Sequence, residues 1–291
     1  MRAIIKKLIK RNQALMVVFN ILKYLTGKAS VTTVNPICFD GWKMATGTRT
    51  PWMNGGTNAF SRSFSETDLL LKTLVAEKKI VLTQFNPCNV TPELEGLTWR
   101  HFIVYWSATY SIQNTKSERK NLAEFGVCDG LTAYYAISAA KKLQVSFEAY
   151  LYDAWEEMKS EFLLDSEKSS AGSYSYLNLE NTKNNLSYLS VEQLIFNKGY
   201  IPEVFDSAQN PDQLVWIHID LNSAMPTIQA LDKFWDLLEV GGLILFDDFA
   251  WPGYEDTQNQ VEKWMLNKKC NILHLPTGQA IIFKQGEKGF R

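Results

Sequence analysis

Three groups of acids and glycines stand where chemistry could occur. Asp220 closes an apolar run in Trp216-Ile-His218-Ile-Asp220-Leu-Asn222, and Asp247-Asp248 close Leu243-Ile-Leu-Phe246. Carboxylates that end two hydrophobic strands would meet at one edge of a sheet, where they repel each other. A divalent cation or a shared proton relieves that repulsion most simply, and the oxygen set Asp220, Asp247 and Asp248 suits Mg²⁺. The plainer alternative is that one acid caps a helix and the others are solvated. Asp153 closes Tyr150-Leu-Tyr-Asp153-Ala-Trp155. An ionised acid there offers only acceptors and could take both hydroxyl protons of a ribose, although Asp at a strand end is also an ordinary helix N-cap. The third group is Glu124-Phe-Gly126-Val-Cys-Asp-Gly130. Its glycines let backbone approach a ligand with no Cβ in the way, and the amides of a following helix could meet a carboxylate.

The glycines lack the Gly-x-Gly-x-x-Gly series of a dinucleotide fold and the Lys-Ser/Thr ending of a phosphate loop, which argues against NAD and ATP. The chain has 291 residues, 46% of them hydrophobic, enough for one large α/β domain with an appended segment. With 30 basic and 31 acidic residues the net charge is −1, so nothing draws in a polyphosphate backbone, and nucleic acid is not an expected partner. Cys38, Cys88, Cys128 and Cys270 form no CxxC pair, which removes the usual zinc spacing and a disulfide framework and suggests a cytoplasmic location.

The elements that must position these groups follow from the apolar pattern. Lys6, Lys7, Lys10 and Arg11 precede the apolar run Ala14–Leu22, which is too short to span a bilayer. It reads as a helix packed on the core or on a partner chain, with peripheral membrane contact as the lesser alternative. Residues 29–96 are loop-rich cap or lid material with a helix over 65–77. Residues 97–112 predict a helix buried on more than one side, its aromatics in the core. A strand over 121–127, a helix over 131–143 and a strand over 147–152 follow, then a polar connection and a helix over 190–197. Short β segments are expected at 204–205 and 214–219, and a helix from Pro226 to Glu239 is expected to stop at Gly241-Gly242. A strand over 243–246, a helix over 255–267, and strands at 272–273 and 280–283 around the turn Pro276-Thr-Gly278 complete the pattern. Alternation of this kind implies a doubly wound, Rossmann-like, mostly parallel sheet. The expected division is a cap over residues 1–96 and a cofactor-binding domain over 97–291.

From Thr98 to Lys284 the order and spacing of these segments, with Lys198-Gly-Tyr-Ile-Pro202, Leu238-Glu-Val-Gly-Gly and Leu275-Pro-Thr-Gly-Gln279, resemble the class I S-adenosylmethionine-dependent methyltransferases, and more narrowly the macrocin-type sugar O-methyltransferases. The resemblance implies a seven-stranded sheet whose last strand, here 280–283, is antiparallel. It also implies S-adenosylmethionine as cofactor. Glu124, Gly126 and Gly130 would lie around its methionine portion, Asp153 on the ribose and Trp155 near the adenine. Mg²⁺ would sit on Asp220, Asp247 and Asp248. Many relatives read Asp-x-Asp-x-Tyr where this chain has His218-Ile-Asp220-Leu-Asn222, so a metal ligand, a base and a satisfied core histidine all stay open for His218.

On this reading the enzyme aligns an acceptor oxygen with the sulfonium methyl and removes its proton, with Asp220, Asp248 and His218 as candidate catalytic groups. A sugar, a glycosylated metabolite or a polysaccharide is the expected acceptor; a phenol, catechol or amine, or a cofactor-binding scaffold without turnover, are the alternatives. A homo-oligomer is compatible with the sequence.

Overall fold

The structure, a computed structural model, describes residues 39–40, 43–44 and 58–286. The expected basic and apolar N-terminal helix lies outside the described residues. A seven-stranded sheet holds β1 (Leu122–Phe125), β2 (Ala149–Asp153), β3 (Leu194–Lys198), β4 (Leu214–Ile219), β5 (Leu238–Phe246), β6 (Ile272–His274) and β7 (Ala280–Phe283), in the spatial order β3-β2-β1-β4-β5-β7-β6. The first five strands run parallel, and β7 is antiparallel to both β5 and β6. Every residue of β1 and of β4 is buried, the mark of a parallel sheet covered on both faces.

Alternation along the strands sorts side chains between two cores. On one face Leu122, Leu151, Trp216, Leu243 and Leu245 pack under α1 (Ala59–Ala76), α3 (Thr98–Asn114) and α4 (Leu131–Lys142). On the other, Phe125, Tyr152, Ile217 and Phe246 pack under α6 (Val204–Ser207), α7 (Ala224–Phe234) and α8 (Glu255–Lys268). The short α2 (Val90–Gly96) leads into α3, and α5 (Leu179–Ser187) precedes β3. Glu124 and His218 have the parity of the first face, and they are direct register partners. That parity directs both ionisable groups toward α3.

The register also aligns the strand ends. Phe125 pairs with Tyr152 and with Ile219, and Ile219 pairs with Phe246. The next residues, Gly126, Asp153, Asp220 and Asp247, therefore leave the sheet in one row. Backbone bonds hold them there: Gly126 N donates to Tyr152 O at 2.9 Å, Asp220 N to Phe125 O at 2.8 Å and Asp247 N to Ile219 O at 3.0 Å. The strand order reverses direction between β1 and β4, so this row straddles the switch point at which open α/β sheets bind ligands.

Four expectations require correction. Residues 194–198 form β3, not the end of a helix; the helix of this region is α5, earlier in the chain. Val204-Phe205 belongs to the helical turn α6, where both side chains pack into the second core. The helix begun near Pro226 ends at Phe234, and Gly241-Gly242 lies inside β5. These glycines serve close approach: a Cβ on Gly241 would stand 2.2 Å from Asn114 O, and one on Gly242 2.3 Å from Val215 O. α7 begins two residues before Pro226, which is tolerated because first-turn amides have no intrahelical partner.

Phe234 is fully buried among Phe125, Tyr152 and Phe205, with ring centroids 4.9–5.6 Å away. Phe234→Ala should cost about 3–5 kcal/mol in urea unfolding. A loss below about 1 kcal/mol would show that this core collapses around the gap.

Candidate functional site

One cavity of about 520 Å³ opens over the carboxyl edge of the sheet. Gly126, Asp153, Asp220, Asp247 and Asp248 all line it. The structure thus brings together the three separated stretches that the sequence singled out.

Gly126 has φ +86°, and a Cβ there would stand 1.8 Å from the carbonyl oxygen of Asp220. The glycine therefore lets the β1 turn and the β4 end touch. Gly130, at φ +84°, is the N-cap of α4; a Cβ on it would crowd Leu186 and Thr182, so it admits α5 behind the turn and is not part of the cavity wall. Asp153 accepts from Cys128 N at 2.8 Å through Oδ2 and from Trp155 N at 2.6 Å through Oδ1. Burial raises its pKa while these amides work against the rise. A carboxylate offers about four acceptor sites, more than these amides fill, and Asp153 lines the cavity.

Trp155 is placed differently from the expectation. Its indole is 2% exposed, donates to Cys128 O at 3.0 Å and to Thr182 Oγ1 at 2.9 Å, and lies beneath the turn without lining the cavity. Its own φ of +45° turns the chain so that the side chain enters the core. It braces the turn that presents Asp153.

Glu124 and His218 also lie behind the wall. Glu124 Oε1 accepts from Thr132 Oγ1 and stands 2.9 Å from His218 Nδ1. His218 is fully buried, and its Nε2 is 3.8 Å from Asp247 Oδ1, an ion-pair distance too long for a hydrogen bond. Burial alone would lower the pKa of this imidazole, but the flanking carboxylates Asp247 and Glu124 raise it to about 10. His218 is a buried cation and does not reach the cavity.

A second buried cation, Arg100 of α3, was not singled out from the sequence. Its guanidinium pairs with Asp247 Oδ2, lies 3.9 Å from Asp248 Oδ1, and donates to Thr277 O at 2.8 Å and Asp247 O at 2.9 Å. Asp247 Oδ1 accepts from Gln279 Nε2 at 2.8 Å. Despite burial, Arg100 and His218 hold the Asp247 pKa well below the usual carboxylate range.

Asp220 and Asp248 are held more loosely: Asn222 Nδ2 donates to Asp220 Oδ1 at 3.4 Å, and Arg100 stands 3.9 Å from Asp248 Oδ1. Candidate ligand atoms of Asp220, Asp247 and Asp248 all lie within 4.8 Å of one another. Burial, followed by the charges of Asp247 and Asp248, pushes the Asp220 pKa well up; burial and Asp247 push Asp248 up to about 6. Four carboxylates, counting Glu124, thus face two cations. The remaining negative charge lies on Asp220 and Asp248, at the cavity wall, and it can be met by a proton or a divalent cation. A cation-binding role fits Asp220 and Asp248, whereas both oxygens of Asp247 are already engaged by protein donors.

The upper wall comes from segments without a recognised motif. The loop after α1 contributes Gln84 and Phe85, held by Asp129, whose carboxylate accepts from Thr83 Oγ1 at 2.9 Å and Gln84 N at 3.1 Å. Residues 157–177, read from sequence as a polar connection, contribute Phe162 and Tyr174. This segment is pinned by the bonds Gly172 N to Met158 O (2.8 Å) and Met158 N to Ser173 O (2.9 Å). Glu167 ties it to the start of α7 through Ala224 N and Ser223 Oγ, each at 2.8 Å. No helix among the described residues is long and apolar enough to cross a membrane.

Residues 123–249 match the family described as a methyltransferase domain. Among solved structures, the O-methyltransferase NovP is similar in fold, with a TM-score of 0.62 and 16% identity over 78% of this chain and 100% of its own. CalS11, a calicheamicin methyltransferase, gives a TM-score of 0.52 and 15% identity over 78% of this chain and 94% of its own. No curated protein matches the chain.

The raised pKa of Asp248 has a consequence for stability. Its folded value of about 6 exceeds the unfolded value of about 3.9, so between them the native state holds a proton that the unfolded chain has released. Stability should fall as pH rises through that window and stay reduced above it. Asp248→Asn removes the loss, so its melting temperature should gain a few degrees on wild type between pH 4 and pH 8, as a thermal scan would read. Parallel pH profiles for the two proteins would contradict the assigned charge balance. Gly126→Ala should cost about 2 kcal/mol or more in chemical denaturation, through both the positive φ and the Asp220 contact.

Proposed function

We infer that this chain, which carries an S-adenosylmethionine-dependent methyltransferase domain, transfers the methyl group to a hydroxyl of a sugar or of a glycosylated molecule. The observation that carries the reading is the pair Asp220 and Asp248, two carboxyls left short of balancing positive charge on the same cavity wall as Asp153 and Gly126. A base beside the cofactor turn is what an oxygen acceptor needs. The acceptor's own chemistry is supported by the resemblance to sugar O-methyltransferases and by the fold shared with an O-methyltransferase and a methyltransferase of calicheamicin.

S-adenosylmethionine supplies a methyl group already electrophilic on its sulfonium, so this chain's residues contribute position and proton removal. Asp153 would fix the ribose hydroxyls, and the Gly126 turn would let the methionine portion lie against backbone. Asp248, with its pKa near 6, would be ionised at neutral pH and accept the acceptor's hydroxyl proton as the C–O bond forms and the S–CH₃ bond breaks. Asp220 would keep its proton and donate a hydrogen bond to the reacting region. If Mg²⁺ takes part, Asp220 and Asp248 are the residues to hold it, and it would lower the pKa of a bound hydroxyl.

Incubation with methyl-labelled S-adenosylmethionine and parallel panels of sugar nucleotides, glycosides, phenols and amines tests this reading. Label should appear on a sugar hydroxyl, and Asp248→Asn should lower kcat by about 100-fold or more while leaving cofactor affinity within about threefold. Transfer to a phenol or amine alone would overturn the sugar assignment. Tight cofactor binding with no transfer to any panel or cell extract would favour a scaffold role.

A further inference from the structure

Asn222, in the turn after β4, has a backbone and a side chain that the proposed chemistry leaves unexplained. Its φ is +54°, in the left-handed region that residues other than glycine seldom occupy. It is partly exposed and lines the cavity beside Asp220 and Asp248. Backbone strain of this kind persists only where the surroundings hold it, and it concentrates at ligand-binding positions.

The side chain is held as well. Tyr254, at the N-cap of α8, donates its hydroxyl hydrogen to Asn222 Oδ1 at 2.5 Å. An asparagine amide carries one oxygen and one NH₂ group, so turning Oδ1 to Tyr254 fixes where the NH₂ group lies. Nδ2 donates to Asp220 Oδ1 at 3.4 Å, a long bond, and its second hydrogen has no protein acceptor among the described residues. Tyr254 does not line the large cavity. It lines a small pocket behind the wall, which it shares with Asp220, Asn222 and Asp248.

The sheet order says what Asn222 faces. On the proposed reading the nucleoside lies over the ends of β1 and β2, at Gly126 and Asp153. Asn222 follows β4, on the opposite side of β1 from Asp153, and so stands with Asp220 and Asp248 on the acceptor's side of the sulfonium. A neutral donor next to a carboxylate base complements two adjacent sugar oxygens: one gives up its proton and the other accepts a hydrogen bond.

We propose that Asn222 binds the acceptor, donating through Nδ2 to the oxygen on the carbon next to the methylated hydroxyl, and that Tyr254 is the positioning residue that orients its amide. The acceptor class is then a sugar with two neighbouring oxygens, the first received by Asp248 and the second by Asn222. This rests on the proposed transfer to a sugar hydroxyl.

The test uses the glycoside that takes label in the panel above, together with its two analogues deoxy at either carbon flanking the methylated one. For the wild-type protein kcat/KM should fall about tenfold with one of the two analogues, as for one hydrogen bond. Asn222→Gly removes the side chain and suits the positive φ, and in it the penalty should shrink to below about twofold. Tyr254→Phe leaves the amide free to turn over, and the penalty should fall to about threefold. Calorimetry with S-adenosylhomocysteine should give affinities within about threefold of wild type for both variants, as expected if neither touches the cofactor. A merely structural role would slow glycoside and analogue alike and leave their ratio unchanged. A tenfold ratio retained in Asn222→Gly, or no penalty in the wild-type protein with either analogue, would overturn the proposal while leaving the sugar reading intact. Label on no sugar at all would overturn that reading, and this subsite with it.

Discussion

The site depends on a charge balance at the carboxyl edge of the sheet. Buried carboxylates are tolerated only when paired, and here α3 brings Arg100 and β4 brings His218 to neutralise Asp247 and Glu124. Removing one partner of such a buried pair typically costs about 3–5 kcal/mol, because the other charge is left uncompensated. The two cations thereby fix Asp247 as a structural anchor and leave Asp220 and Asp248 as the groups with chemistry to spare. Through Arg100, the helix preceding the sheet takes part in the site as much as the strand ends do.

Strand parity creates this arrangement. Glu124 and His218 are register partners pointing to the α3 face, and Asp247, two residues beyond Leu245, shares their parity. His218 stands where the family resemblance implies an acid. Its neighbours turn it into a cation, and it then balances charge behind the cavity. Ligation and base catalysis, both open from the sequence, need a nitrogen at the cavity wall, which His218 does not present.

The sequence was informative where one residue type has one physical reason to be present. Gly126, Asp153, Asp220 and the pair Asp247-Asp248 follow hydrophobic strands, and parallel strands in register must place their ends together. Short apolar runs were ambiguous: Leu194–Lys198 was absorbed into a helix and Val204-Phe205 taken for a strand, since two to five residues carry too little periodicity to separate the two. Gly241-Gly242 reads equally as a helix stop and as a close approach, and only the positions of Asn114 and Val215 decide between them. Arg100 sat unnoticed in an aromatic helix because its partner is distant in sequence: Asp247 is 147 residues away. Trp155 carried a false signal, since an aromatic two residues after a strand-end acid can face a cavity or the core, and its indole bonds to Cys128 O and Thr182 Oγ1 place it in the core.

On the proposed reading, one row of strand ends cradles a sulfonium nucleoside beside Asp220 and Asp248. A crystal structure of the protein with S-adenosylhomocysteine would decide this. Both ribose hydroxyls should lie within hydrogen-bond distance of Asp153, and the sulfur should lie beside Gly126, facing Asp220 and Asp248. A nucleoside bound away from Asp153, or a sulfur turned from the acids, would contradict it.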